Sequence, residues 1–405
     1  MESFFKEHVD YTILITVVLL LVISLASVYS ATYDVGAGLY FHRQLIWSGI
    51  GILLMLIIMF IPFRTLQLIS YPVYGASILI LLVVLVAGKV VAGSKSWFGI
   101  GGLGLQPSEL VKVTTTLALA SYLSQRQVNL RRLHHLAITL GIVFVPVALI
   151  LAQPDMGTAI IYVGMFFVVL YWAGASNILL LTFLAPAAAA IATLFGTTAF
   201  VAVIILTSIL LYLIKENRLF SAAVFSVTVL MGMSVQFIFG KLAPHQQKRI
   251  ITFLNPDADP LGAGYNVIQS KIAIGSGGMF GKGYLHGSQT QLNFLPAQWT
   301  DFIYCVPSEE FGFFGAFTIL LLLSLLLYRG IQIASMVKNR YASIVAIGLV
   351  GTLGTHTVIN IGMAMGIMPV IGVPLPFMSY GGSNLLTNMI MAGVLLNLYA
   401  NRKEY

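Results

Sequence analysis

The chain has 405 residues, 59% of them hydrophobic and only 8% charged, with a formal net charge of +8. A mean hydropathy of +0.95 excludes a soluble globular protein, and the single Cys305 excludes an intramolecular disulfide. The positive balance does not call for nucleic acid, because most Lys and Arg sit in short segments between apolar runs, where they orient spans and meet anionic headgroups.

The first apolar run, from about Tyr11 to Ala31, is longer than a signal-peptide core and reads as an uncleaved first span. Runs of about 20 apolar residues, the length that crosses hydrocarbon as a helix, recur along the chain. They predict spans at 11–31, 44–62, 67–87, 108–124, 134–152, 157–174, 176–195, 198–214, 219–240, 312–335, 342–366 and 383–400. The short alternating segments of a membrane β-barrel do not appear. The expected fold is therefore an all-α polytopic membrane protein of about twelve helices, a single integral domain over 1–405. With the N-terminus inside, the short segments place twelve Lys and Arg on the inner side and three on the outer. Both termini are then cytoplasmic, and the long polar stretch 241–311 faces out.

Polar residues at membrane depth stand out next. Glu109 and Lys112, in QPSELVKV at the start of the fourth span, are three apart and share a helix face. They are either a self-satisfied ion pair or the lining of a polar cavity reached from outside. Asp155, in QPD after the fifth span, reads as a cap for the next helix.

The stretch 241–311 holds five basic and five acidic residues in a chain that is otherwise almost pure membrane. Loops on a rigid scaffold carry function disproportionately. NPDADPLGAGYN (255–266) resembles a calcium loop superficially, without the ligand spacing of one, and reads as a rigid turn that aims the next helix. Gly275, Gly277, Gly278, Gly281 and Gly283 are interleaved with Lys271 and Lys282. That is not a Walker loop, although glycines let backbone amides approach a phosphate and lysines add charge. Asp301, in LPAQWTDFIY, closes the loop among Phe294, Trp299, Phe302 and Tyr304. Apolar neighbours raise a carboxyl pKa, which suits a general base; an N-cap for the following helix is the equally weighted alternative. Glu309 and Glu310 follow on the expected helix face. Finally GVPLPFMSYGGSN (372–384) puts two prolines and two glycines beside the last span, a broken backbone tolerated only where it is buried or lines a cavity.

Taken together, SKSWFGIGGLGLQPSELVK (94–112), AQPDMGT (152–158), the 255–296 stretch, TDFI (300–303), EEFG (309–312) and GVPLPFMSYGGS (372–383) resemble the SEDS family of bacterial cell-wall proteins, the group of RodA, FtsW and SpoVE. The likeness covers nearly the whole chain, and the last motif and the glycine-rich one stand closer to the RodA branch. The resemblance implies a peptidoglycan glycosyltransferase acting on lipid II at the outer face of the bacterial cytoplasmic membrane during elongation. It implies a class B penicillin-binding protein and the elongation machinery as partners. It puts the family's essential aspartate on Asp301 and its cavity residues on Glu109 and Lys112, with Arg43, Trp97 and Ser379 beside them. Candidate cations for the leaving diphosphate are Lys271, Lys282, Arg249, Arg43 and Lys112, with room for a divalent cation of unknown identity. Family members usually have about ten spans, so 176–240 is expected to carry a two-helix insertion. A lipid II flippase, with Glu109 and Lys112 lining the path, and a scaffold that activates a partner synthase are the competing readings.

Overall fold

In hydrocarbon every backbone polar group must be satisfied within the segment, so long apolar runs become helices. The computed structural model describes residues 8–91, 94–100, 103–214, 217–241, 247, 251, 254–260, 262, 264–292 and 294–402. All twelve expected segments are helical. In chain order they are α1 (Tyr11–Ala31), α2 (Tyr33–Met59), α3 (Phe63–Ala87), α4 (Pro107–Leu123), α5 (Leu133–Leu151), α6 (Met156–Trp172), α7 (Asn177–Leu194), α8 (Thr197–Ile214), α9 (Arg218–Lys241), then α10 (Tyr265–Ser276), α11 (Ser288–Gln291) and α12 (Cys305–Glu310) in the polar stretch, and α13 (Gly312–Met336), α14 (Arg340–Ala364) and α15 (Gly382–Ala400). Among the described residues, nine helices are long and apolar enough to cross a membrane. Of the expected spans, α4 and α6 are shorter, at 17 residues each, and the apolar run of the continuous helix α15 is broken up by Asn384, Asn388 and Asn397. The protein is a multi-pass helical membrane protein.

One element departs from the all-helical expectation. Between α3 and α4, β1 (Lys89–Val91), β2 (Ser94–Ile100) and β3 (Leu103–Leu105) form an antiparallel sheet in the order β1-β2-β3. Two of the strands are three residues long and the third is seven, too little for a period-two pattern to stand out in the sequence.

The chain divides into two compact units. One comprises 1–169 and 269–405, the other 170–268. In the second unit, α7, α8 and α9 pack on one another around Ile178, Leu211 and Val224. Within it, NPDADPLGAGYN makes a 3-10 turn at Pro256–Ala258, and the Asp259 carbonyl accepts from the Gly262 and Gly264 amides. It is a turn leading into α10.

The first unit is organised on α14, 78% of whose apolar window is buried, against 22% for α2. Small residues allow the close approach. A Cβ on Gly348 would lie 2.5 Å from the Thr116 methyl, and one on Gly351 3.0 Å from Val168. Helix α4 packs on α3, α14 and α15, and α2 packs along α15. Asp155 caps α6: its carboxylate accepts from the Thr158 amide (3.0 Å) and hydroxyl (2.8 Å), and from the Gln106 amide group. At the end that the Lys/Arg asymmetry assigns to the inner side, Asp10 caps α1 and accepts from Arg329 Nε at 2.6 Å, joining α1 to α13.

The glycine-rich segment has a structural explanation. Its amides are already committed: Gly281 donates to the Gly277 carbonyl, Lys282 to Glu309, and Gly283 to Glu310. A Cβ on Gly277 would sit 2.1 Å from the Ser308 carbonyl oxygen, and one on Gly281 2.1 Å from that of Glu310. These glycines let one backbone lie against another, and the amide cradle for phosphate considered from the sequence is not formed here. Gly281 also has φ +80°. Gly281→Ala is expected to cost roughly 1–3 kcal/mol from backbone conformation alone, before the clash is counted. The check is a lowered midpoint of thermal unfolding in detergent; an unchanged midpoint would show that the 308–312 backbone can yield.

Candidate active site at the 297–304 turn

The acidic side chain best placed for chemistry is Asp301, and its backbone is held from three directions. The Trp299 carbonyl accepts from the Tyr380 amide (2.8 Å), the Thr300 carbonyl from Ser379 Oγ (2.6 Å), and the Asp301 carbonyl from Asn360 Nδ2 (2.8 Å). Ser379 Oγ in turn accepts from the Leu375 amide, and Gln298 Nε2 donates to the Ala31 carbonyl. Three successive carbonyls are thus fixed by α14 and the 372–383 segment. The Asp301 carboxylate itself faces Gly372, whose added Cβ would lie 3.6 Å from Oδ2. It does not cap the next helix: the residue at the start of α12 is Tyr304, with no side-chain cap. Phe302 and Tyr304 are buried behind it, whereas Phe294 is exposed. Burial pushes the Asp301 carboxyl up to about 6, with the Thr300 hydroxyl pulling in the other direction.

Beside this turn lies a cleft of about 190 Å³ lined by Arg43, Trp47, Trp97, Gly104, Thr300, Tyr380, Gly381 and Gly382. It brings Arg43 and Trp97 together next to Asp301. The Tyr40 ring packs 5.5 Å from that of Trp299 and 5.4 Å from that of Tyr380. Ser379 is buried beneath, holding Thr300 rather than facing the cleft.

On the other side, Ile371 belongs to an apolar groove of about 600 Å³ between α6, α13 and α14, lined among others by Ile160, Leu327, Val350, Val358 and Met368. Asp301 thus follows Thr300 of the cleft and faces Gly372, the neighbour of Ile371 in the groove.

Glu109 and Lys112 form an enclosed pair, with Nζ 2.8 Å from Glu109 Oε2 and side-chain exposures of 4% and 1%. The ammonium also meets His356 Nε2 at 2.7 Å, and His356 Nδ1 meets the Pro374 carbonyl at 3.1 Å. Neither ionic group lines the cleft. His356 and Asn360 are the functional candidates that the sequence reading missed. The available signal was THTVIN, two polar side chains four apart in an apolar span.

The remaining candidates lie elsewhere. Lys282 pairs with Glu309 at 2.8 Å and donates to Ser288. Glu309 also accepts from the Gln289 and Thr290 amides, and these contacts outweigh burial and hold its carboxyl below the usual range. Glu310 accepts from the Leu285 amide and Ser30, so both glutamates serve as anchors of the 282–291 segment. Burial raises the Glu310 carboxyl. Lys271 is exposed on α10. Arg249 lies outside the described residues. Among the described residues no three His, Cys, Asp or Glu side chains cluster as metal ligands.

A multi-pass helical membrane protein with one acid on a fixed turn, beside a cleft that holds Arg43 and near an apolar groove, is the class that fold and site define. The sequence matches the FtsW/RodA/SpoVE family of cell cycle proteins over residues 8–201 and 179–404, and the chain belongs to that family. It is 35% identical to the peptidoglycan glycosyltransferase RodA of Treponema pallidum, covering 97% of this chain and 98% of the relative. It is 37% identical to stage V sporulation protein E of Bacillus subtilis (97% of each) and 34% identical to the peptidoglycan glycosyltransferase MrdB of Escherichia coli (98% and 95%). Among solved structures, a chain of a peptidoglycan synthase complex that coordinates polymerisation and crosslinking superposes with a TM-score of 0.75 at 28% identity, covering 98% and 99%. The rod shape determining protein RodA of Thermus thermophilus does so with 0.64 at 27%, covering 98% of each.

Proposed function

We propose that this chain is a peptidoglycan glycosyltransferase that polymerises lipid II into glycan strands at the outer face of the bacterial cytoplasmic membrane, in the service of cell elongation and shape. Full-length likeness to RodA and MrdB supports the reaction class. The observation that carries the mechanism is the Asp301 carboxyl on a turn fixed through three main-chain carbonyls, beside the cleft and the groove.

Asp301 takes the proton from the acceptor sugar 4-hydroxyl. The oxygen attacks the donor anomeric carbon, and the bond to the polyprenyl diphosphate breaks with inversion. Negative charge grows on the departing diphosphate, where a cation lowers the barrier. Arg43 is the candidate whose side chain reaches the cleft; Lys282 is paired and Lys112 enclosed. The apolar groove that ends at Ile371 suits the polyprenyl chain. Crosslinking of the product falls to a partner transpeptidase of the class B penicillin-binding type, a reading favoured by the likeness to a chain from a synthase complex. A transport path past Glu109 and Lys112 would need an opening that the enclosed pair does not offer.

The test is polymerisation of lipid II by the purified chain in detergent, with and without a class B partner. No polymer under either condition would remove the reading. As a base, Asp301 works only unprotonated, and its raised pKa puts the transition near 6. The rate is expected to hold above about pH 7 and to fall towards tenfold per unit as pH drops below about 6. A limb near pH 4 would show an unperturbed or different carboxyl.

A further inference from the structure

We propose that His356 and Asn360, one helical turn apart on α14, are positioning residues that lock the Asp301 turn to the 373–374 backbone and tie both to the buried Glu109–Lys112 pair. The inference rests on Asp301 being the base.

The contacts fix the chemistry of each side chain. An ammonium has only protons to give, so His356 Nε2 must accept from Lys112 (2.7 Å). Nδ1 then carries the remaining proton and donates to the Pro374 carbonyl (3.1 Å). The imidazole is neutral, in one tautomer, and 1% exposed. Asn360 is fully buried, and its amide group donates both protons, one to the Asp301 carbonyl (2.8 Å) and one to that of Val373 (2.7 Å). One rigid helix therefore holds the turn that bears the carboxylate and the segment whose Gly372 faces it. The two cannot move apart without breaking a buried hydrogen bond and leaving an unsatisfied polar group.

Neither side chain lines the cleft, so substrate binding is not their task. Their effect is expected in the chemical step, because a displacement of about 1 Å at a reacting group can cost about 10²-fold in rate. Lys112 and His356 lie 244 positions apart in the chain, and their contact carries the influence of the buried pair to the 374 carbonyl. A role in reaction for Glu109 and Lys112 then needs no access to substrate: they orient the imidazole that holds the 374 carbonyl, one residue from the Val373 carbonyl that Asn360 joins to the Asp301 turn.

The experiment compares steady-state polymerisation of lipid II by purified H356L, H356Q and H356N, normalised to folded protein, with D301N in parallel. Leu removes both hydrogen bonds. Gln keeps an acceptor for Lys112 and a donor for Pro374, and Asn has both groups on a stem too short to bridge them. The expected result is a kcat lowered about 10–100-fold in H356L with KM within about threefold of wild type, and H356Q within about threefold in both. Wild-type kcat in H356L beside an inactive D301N overturns the proposal and leaves Asp301 standing. So does H356Q as slow as H356L at equal folded yield. If H356L does not fold, H356N takes its place: slow beside a rapid H356Q sustains the proposal, and equal to it overturns it. An active D301N removes the Asp301 reading, and this proposal with it.

Discussion

Asp301→Asn is expected to yield a folded protein that still binds lipid II and polymerises it about 10²–10⁴-fold more slowly, the usual cost of losing a general base. Asn keeps the size of the side chain and an acceptor oxygen but cannot take a proton. Nothing in the fold depends on the charge: the carboxylate caps no helix, and the three contacts that hold the turn are made through main-chain carbonyls at 299, 300 and 301. Expression and thermal unfolding should therefore match the wild type. Burial disfavours the ionised carboxyl, so the neutral amide is expected not to lower the unfolding midpoint. Asp301→Ala should be equally slow and, with no cap to lose, nearly as stable. The measurement is glycan formed per folded molecule in purified form. Near-wild-type polymerisation by the Asn variant would take Asp301 out of the reaction and turn attention to Glu310, the other loop carboxyl that burial raises.

Much of the fold was legible because a membrane imposes a one-dimensional rule. A run of about 20 apolar residues must be a helix, and that rule needs no knowledge of neighbours. The twelve segments follow from it, and so does the contrast with 241–311. Asp301 was legible for a related reason: an acid amid aromatics at the end of a polar stretch is conspicuous. Pairings were not legible. The glycines of 275–283 read equally well as a phosphate cradle or as a packing surface, and the choice was made by the 308–312 backbone, which no local pattern reveals. Lys282 resembled a free cation until Glu309 was found 2.8 Å away. His356 and Asn360 gain their meaning from residues 244 and 59 positions distant. The short sheet at 89–105 was hidden for lack of length, since its strands are too brief to show a periodicity.

Glu109→Ala is expected to have the second large effect, by another route. It leaves the Lys112 ammonium enclosed at 1% exposure with the imidazole as its one remaining side-chain partner among the described residues. Removing one member of a buried pair costs about 3–5 kcal/mol, because the other charge stays desolvated. Much of that cost appears as lost folded protein. The imidazole is also drawn out of place, because a lone ammonium pulls on Nε2 while Nδ1 still holds the Pro374 carbonyl. Polymerisation per folded molecule should then fall as well. The discriminating variant is the double neutral one, Glu109→Gln with Lys112→Met, which removes both charges at similar volume. Replacing a buried ion pair by neutral side chains of similar size is often tolerated. It restores folded yield if the pair is a matter of stability alone. If Lys112 must also present a proton to His356, the double variant folds yet stays slow, since Met gives Nε2 no donor. Folded yield and rate per folded molecule, measured separately, divide the two: recovery of both would make the pair a structural ion pair, and recovery of yield alone would place it in the chain of contacts that ends at Asp301.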